Sequence, residues 1–258
     1  MAKILLTNDD GIDAEGLRRL EECLRRTADI TVVAPDRGRS AVSHGLTIDV
    51  PLEHNEVTRG RFTLNGTPAD CIIYALRKIL DGPPDLVISG INHGANLGDD
   101  IMYSGTVAGA REASRHGIPA IAVSQAYDDK PITFDGGLKF IPRLVEAVLG
   151  QKSAGAVCLN VNIPVRKILG VKVTRQGCSF HFPHFNVLDR QQIDDFADAA
   201  AAQQVRSNIP FDFAALLSHF ISVTPLQRDQ TDYALASSLL KDLPDSLPKP
   251  RLRIPLIG

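Results

Sequence analysis

The sequence lacks several features that mark out common protein classes. No apolar run approaches the roughly 20 residues needed to cross a bilayer, so a helical membrane protein is excluded. Neither sign of charge is in excess. The 28 Lys+Arg and 30 Asp+Glu leave a formal net charge of -2, whereas a dedicated nucleic-acid binder carries a basic bias. Cysteine is scarce and scattered: Cys23, Cys71, Cys158 and Cys178 form no C-x-x-C pair, which argues against zinc ribbons and thioredoxin-like redox motifs. Cys23 and Cys158 lie in apolar patterns and read as buried small hydrophobes. Internal repeats and low-complexity linkers are missing as well. The apolar stretch at the N-terminus is three residues long before the acids begin, too short for a signal-peptide core, so a cytoplasmic protein is expected.

What remains is the composition of a folded globular chain. It has 258 residues, 44% hydrophobic and 22% charged, which excludes disorder, collagen-like repeats and a disulfide-stapled miniprotein. The length fits one large domain, or one domain with an elaborated extension.

The pattern along the chain alternates strand and helix. Lys3–Thr7 is a short apolar run that fits a buried strand. Leu17, Leu20 and Leu24 then recur at helical spacing between about Gly16 and Arg26, and Asp29–Val33 is a second β-branched run. This strand–helix–strand unit spans about thirty residues, the size of a parallel βαβ. Further on, 70–80 reads as helix, stopped by Asp81-Gly82-Pro83-Pro84. Residues 85–89 read as strand closed by Gly90, 90–100 as loop, 104–116 as helix and 118–124 as strand. Beyond residue 130 the spacing predicts a helix over 140–149, strands over 156–163, 170–175 and 219–223, and a last helix over 234–243. Such alternation predicts a doubly wound parallel sheet.

Three clusters of chemistry-bearing residues follow strands of that sheet, where open α/β folds bind ligands. The first is Asn8-Asp9-Asp10-Gly11. Adjacent carboxylates repel unless a cation lies between them, and oxygen donors of this kind suit Mg²⁺ or Mn²⁺. The same residues also fit a turn into a helix, where acids are favoured by the dipole. The second is Pro35-Asp36-Arg37-Gly38-Arg39-Ser40, in which Ser40 offers a metal an oxygen and the arginines offer phosphate a counter-charge. The third runs from Ser89 to Asp100 and on to Tyr103-Ser104-Gly105-Thr106. Asn92 and Asn96 supply amide groups, and 104–106 opens a helix whose free N–H groups suit a phosphate. Ser104 equally suits an N-cap. Of the seven histidines, His44, His54 and His93 read as loop or surface residues, with His93 set apart by its place beside Asn92.

Together the clusters resemble a metal-plus-phosphate site. Competing signatures are absent: there is no P-loop, no G-x-G-x-x-G, no H-E-x-x-H and no G-x-S-x-G. The Asp-x-Asp-x-Thr of a haloacid-dehalogenase phosphatase is missing after the first strand, and no Asp-x-Asp of a glycosyltransferase stands at a later strand end.

Five segments resemble the SurE family: 3–11, Val33-Ala-Pro-Asp-Arg37 with Ser40, Gly66-Thr-Pro-Ala-Asp70, Ser89-Gly-Ile-Asn92, and Asn96-Leu-Gly-Asp-Asp100 running into Tyr103-Ser-Gly-Thr-Val107. They cover roughly residues 1–175, and Ser222-Val-Thr-Pro-Leu226 echoes the family's C-terminal strand. The resemblance implies a Rossmann-like α/β fold, with a doubly wound, mostly parallel sheet, a protruding hairpin and a C-terminal helical extension. On that basis 1–175 is the nucleotidase core and 176–258 the hairpin and dimerisation extension. It implies a cytoplasmic hydrolase, dependent on Mg²⁺ or Mn²⁺, that removes phosphate from nucleoside 5′- and 3′-monophosphates as a homodimer or homotetramer. It assigns Asp9, Asp10, Ser40 and Asn92 to the metal, and Asn96, Ser104, Gly105 and Thr106 to the phosphate. Asp9 also takes a catalytic role as base or nucleophile. A non-catalytic nucleotide- or metal-binding module is the alternative. Around 178–215 the chain departs from the family pattern, with His181, His184, an Ala/Gln stretch and Phe211-Asp212 where a Gly/Pro-rich hairpin region and a Thr-Asp pair are usual.

Overall fold

Strand β1 (Ala2–Thr7) is buried from Ile4 onward, which explains its unbroken apolar character. Its side chains alternate between two cores: Ile4 and Leu6 join one, Leu5 the other. The computed structural model describes residues 1–151, 157–165, 167–177 and 208–242. Cys178, His181, His184 and the Ala/Gln stretch lie outside them.

Helix α1 (Glu15–Leu24) presents Leu17, Leu20 and Leu24 to the first core. The chain then forms β2 (Ala28–Pro35) and a short pair, β3 (His54–Thr58) and β4 (Arg61–Leu64). The sequence pattern does not predict that pair. Every residue of β3 is exposed, so no buried face imposes a period of two. Helix α2 (Pro68–Tyr74) opens with a capping box in which Thr67 and Asp70 satisfy one another's backbone N–H groups, and a π-helical segment, Ala75–Ile79, continues it.

Strand β5 (Leu86–His93) runs past the point at which the sequence predicts its end. Gly90 absorbs the irregularity. Its φ is +140°, a Cβ there would lie 2.3 Å from the Val123 carbonyl oxygen, and the pairing with the next strand shifts register between Ser89 and Asn92. The remaining loop contains a 3₁₀ segment, Gly98–Met102, followed by α3 (Gly105–Arg115), β6 (Ala120–Gln125), α4 (Asp135–Gly150), β7 (Cys158–Ile163), β8 (Gly170–Val173), α5 (Asp212–Leu217) and β9 (Phe220–Pro225). Helix α4 starts five residues before its expected position, its first turn tied to α1 by the Arg19–Asp135 ion pair at 2.5 Å.

The sheet order is β3-β4-β2-β1-β5-β6-β7-β9-β8. From β4 to β7 all neighbours are parallel, while β3 on β4 and β9 on β7 are antiparallel. Helices α1 and α4 cover one face and α2 and α3 the other. The second face is lined by Ala120 and Ala122, matched by Val107, Ala110 and Ala113 of α3, so that helix seats close to the sheet. From β1 the chain winds to β2 on one side and returns to β5 on the other. The crevice between β1 and β5 is therefore the topological switch point.

Cys71 and Cys158 are buried, as expected of Cys158, whereas Cys23 is only partly buried. Residues Met1–Leu226 form one compact unit. Gln227–Gly258 form another, whose described part carries α6 (Tyr233–Asp242). No described helix is long and apolar enough to cross a membrane.

Candidate active site

Asp9 and Asp10 follow β1 at the switch point. Asn8 shapes the turn that carries them: its side-chain amide donates to the Gly11 carbonyl at 2.9 Å and its Oδ1 accepts from the Gly11 N–H at 3.2 Å. Asp9 is 5% exposed. Burial pushes its carboxyl up to about 6; the Thr106 hydroxyl opposes that rise and the Asp10 charge adds to it. Burial also raises Asp10, against the pull of the His93 backbone N–H and of the His93 charge. Among the described residues neither carboxylate has an ion-pair partner.

The start of α3 meets Asp9 directly. Thr106 is fully buried and its hydroxyl donates to Asp9 Oδ1 in a short hydrogen bond. Gly105 makes the approach possible, because a Cβ there would lie 2.8 Å from Asp9 Cβ and 3.0 Å from its Oδ2. Ser104 caps the helix, its Oγ accepting from the Val107 N–H at 3.1 Å. The positive end of the helix dipole thus faces the carboxylate.

The other expected residues surround this pair unevenly. The His93 backbone N–H donates to Asp10 Oδ2 at 3.1 Å, while its ring is exposed and packs edge-on to Tyr127. Asn92 donates from Nδ2 to the Gly94 carbonyl at 2.8 Å, which leaves its Oδ1 outside that bond. Ser40 is exposed and makes no hydrogen bond to either acid, although the neighbouring Arg39 N–H donates to the Asp9 carbonyl at 2.6 Å. The Arg39 guanidinium turns away to the Asn65 carbonyl and Asp36. Asn96 lies deeper. It is 9% exposed, its Nδ2 donates to Ser124 Oγ at 2.7 Å, its N–H donates to Asn162 Oδ1 at 2.7 Å, and its carbonyl accepts from Asn160 and Asn162.

Sequence reasoning misses that asparagine floor. A signal exists in Asn160-Val161-Asn162, where polar residues alternate on one face of a buried strand. It also reads His44 as a plain surface residue. The imidazole Nε2 lies 2.8 Å from Oε2 of Glu112, a carboxylate 1% exposed on α3, so it ties the loop after Ser40 to the site's helix.

The donor set fits a hard divalent cation. Among the described residues no three His, Cys, Asp or Glu side chains form a metal cluster, but two carboxylates completed by amide, hydroxyl and substrate oxygens suit Mg²⁺ or Mn²⁺. Two adjacent acids lacking a cationic partner are an electrostatic deficit that such an ion would remove.

Residues 4–181 match the family model described as Survival protein SurE. A 5′-nucleotidase SurE from Pelobacter propionicus is 42% identical over 235 residues, covering 90% of this chain and 95% of its own length. One from Geobacter metallireducens is 40% identical over 241 residues, covering 92% and 96%. The crystal structure of the SurE protein from Aquifex aeolicus superposes with a TM-score of 0.78 at 37% identity, covering 93% of this chain and 98% of that one.

Proposed function

This chain belongs to the survival protein SurE family, and from that premise we propose that it is a nucleotidase, hydrolysing the phosphomonoester of nucleoside 5′- and 3′-monophosphates. One observation carries the reading to this chain's own residues: two acids, without an ion-pair partner among the described residues, occupy the switch point with the N-terminus of α3 aimed at them.

In this reading Asp9, Asp10, Asn92 and Ser40 hold Mg²⁺ or Mn²⁺, which when bound polarises the phosphoryl group and lowers the pKa of water. Thr106 fixes the rotation of the Asp9 carboxylate through Oδ1. The carboxylate receives one proton of the attacking water as the phosphorus–ester oxygen bond breaks, and the departing ribose oxygen takes a proton from solvent to leave as the hydroxyl. Ser104, Gly105 and Thr106 hold the phosphate at the helix start, where backbone dipoles stabilise the charge that builds in the transition state. Asn96, held by Ser124, Asn160 and Asn162, faces the same phosphate from the loop that leads to the helix. Attack by water suits the site better than a phosphoenzyme, because Asp9 is enclosed by Gly105 and Thr106.

The assembly as a cytoplasmic homodimer or homotetramer, with a core over 1–175 and a dimerisation extension over 176–258, is part of the same proposal and rests on the resemblance. Phosphate release from 5′-AMP and 3′-AMP, measured with Mg²⁺ and with Mn²⁺, tests the function. Turnover of either ester is expected. Binding without turnover would instead identify a nucleotide-sensing module.

A further inference from the structure

A buried carboxylate that the proposed mechanism does not use sits on the far side of the same loop. Asp212 is the first residue of α5 and is fully buried. Among the described residues its partners are backbone N–H groups. Oδ1 accepts from Phe213 at 2.8 Å and from Gly177 at 3.1 Å, while Oδ2 accepts from Gly98 at 2.8 Å. Only an ionised carboxylate offers two oxygens that accept and never donate. An amide would satisfy one side of this arrangement and oppose the other. Burial raises the Asp212 carboxyl, and backbone N–H groups, that of Gly98 foremost, limit the rise without cancelling it.

The residue it reaches is two positions from Asn96 and opens the 3₁₀ segment leading to Ser104. Gly98 is held at both ends of its backbone, since its carbonyl also accepts from Gln176 Nε2 at 3.1 Å. Asn96 is likewise held at its N–H by Asn162 and at its carbonyl by Asn160 and Asn162. Strand β7 therefore grips one end of the 96–98 turn, and α5 with the segment after β8 grips the other. Gly98 itself is left-handed, with φ of +53°, so its conformation depends on such restraints.

We propose that Asp212 is a positioning residue for the phosphate-binding wall: its Oδ2 anchors Gly98 and thereby sets where the 98–104 segment delivers Ser104, Gly105 and Thr106. The proposal rests on the phosphatase reading above. It also gives α5 and the segment after β8 a task in a site built otherwise from the β1, β2 and β5 ends, α3 and the asparagines of β7. Preorganisation of this kind acts on the reaction through the geometry of groups that touch substrate.

The variant Asp212→Asn separates this role from a plain helix cap. With Oδ1 kept toward Phe213 and Gly177, the new amide points a donor at the Gly98 N–H, so the Gly98 anchor alone is lost. In the full-length protein, hydrogen exchange of peptides covering 95–104 is expected to accelerate while that of 208–217 stays the same. With 5′-AMP, kcat/KM is expected to fall about tenfold. Wild-type exchange over 95–104 together with kcat/KM within twofold of wild type would overturn the proposal. If Asp212→Asn does not fold, Asp212→Ser carries the test, because one short hydroxyl cannot accept from Phe213 and Gly177 on one side and from Gly98 on the other. Faster exchange over 95–104 supports the anchor, while unchanged exchange there overturns it. A failure of the phosphatase reading is seen separately, as absence of turnover by the wild-type protein, and leaves the exchange comparison able to decide the anchor.

Discussion

The most consequential residue is Asp9, because its environment suits a bound cation better than it suits folding. Its carboxyl sits at about 6 in the fold against an ordinary 3.8. The folded chain thus binds this proton more tightly than the unfolded chain does. The stabilisation is complete below about pH 3.8 and is lost as pH rises through 6, so the ionised group costs the metal-free fold on the order of 3 kcal/mol at neutral pH. Asp9→Asn removes that cost. With chelator present its melting temperature is expected to exceed that of the wild type at pH 7.5, with the difference shrinking toward pH 4, while nucleotidase turnover falls at least about a hundredfold. A melting curve series over pH checks the first outcome and a phosphate assay the second. Thr106→Val tests the other side of the contact. The shape is kept, but the hydrogen bond to Asp9 Oδ1 is lost, and kcat is expected to drop about tenfold, equivalent to 1–2 kcal/mol. An unchanged kcat would reduce Thr106 to a packing residue.

At the scale of elements, the site depends on how closely the start of α3 approaches the end of β1. Gly105→Ala should show this. Its Cβ would meet Asp9 Cβ at 2.8 Å and Val42 Cγ1 at 3.2 Å, so the helix start must withdraw even though alanine favours helix. Steady-state kinetics are expected to give about a tenfold or greater loss of kcat/KM in a protein that still melts cooperatively. These contacts also explain which parts were legible in the sequence. Strands β1, β2, β5 and β6 stand out because burial on both faces keeps them apolar, and the acids stand out because they are adjacent in the chain. The β3–β4 pair does not, because an exposed strand carries no period. The Asn96–Asn160–Asn162 floor and the Asp212 anchor do not either, because residues 64, 66 and 114 positions apart in the chain are brought together by sheet order alone. Gly90 is legible as a strand stop but acts as an irregularity within the strand, a distinction decided by its neighbour Val123.

For the whole molecule, near-neutral charge conceals a local imbalance. Acids concentrate at one sheet edge and a helix terminus meets them, so under the proposed function the fold is coupled to the cation those acids would hold. Mn²⁺ or Mg²⁺ at about a hundred times its dissociation constant is expected to stabilise the folded protein by about 2.7 kcal/mol. Thermal melts should show the shift in the wild type and lose it in Asp9→Asn. An equal shift in both would move the cation away from Asp9.

Asp9 and Asp10 are proposed as the cation-dependent centre of a nucleotidase. Phosphate release from 5′-AMP by the wild-type protein, stripped with EDTA and then given excess Mn²⁺ or Mg²⁺, tests it most directly when run beside Asp9→Asn. Turnover is expected to disappear on chelation, to return when the metal is restored, and to stay absent in the variant throughout. Turnover that survives chelation, or that persists in Asp9→Asn, would contradict it.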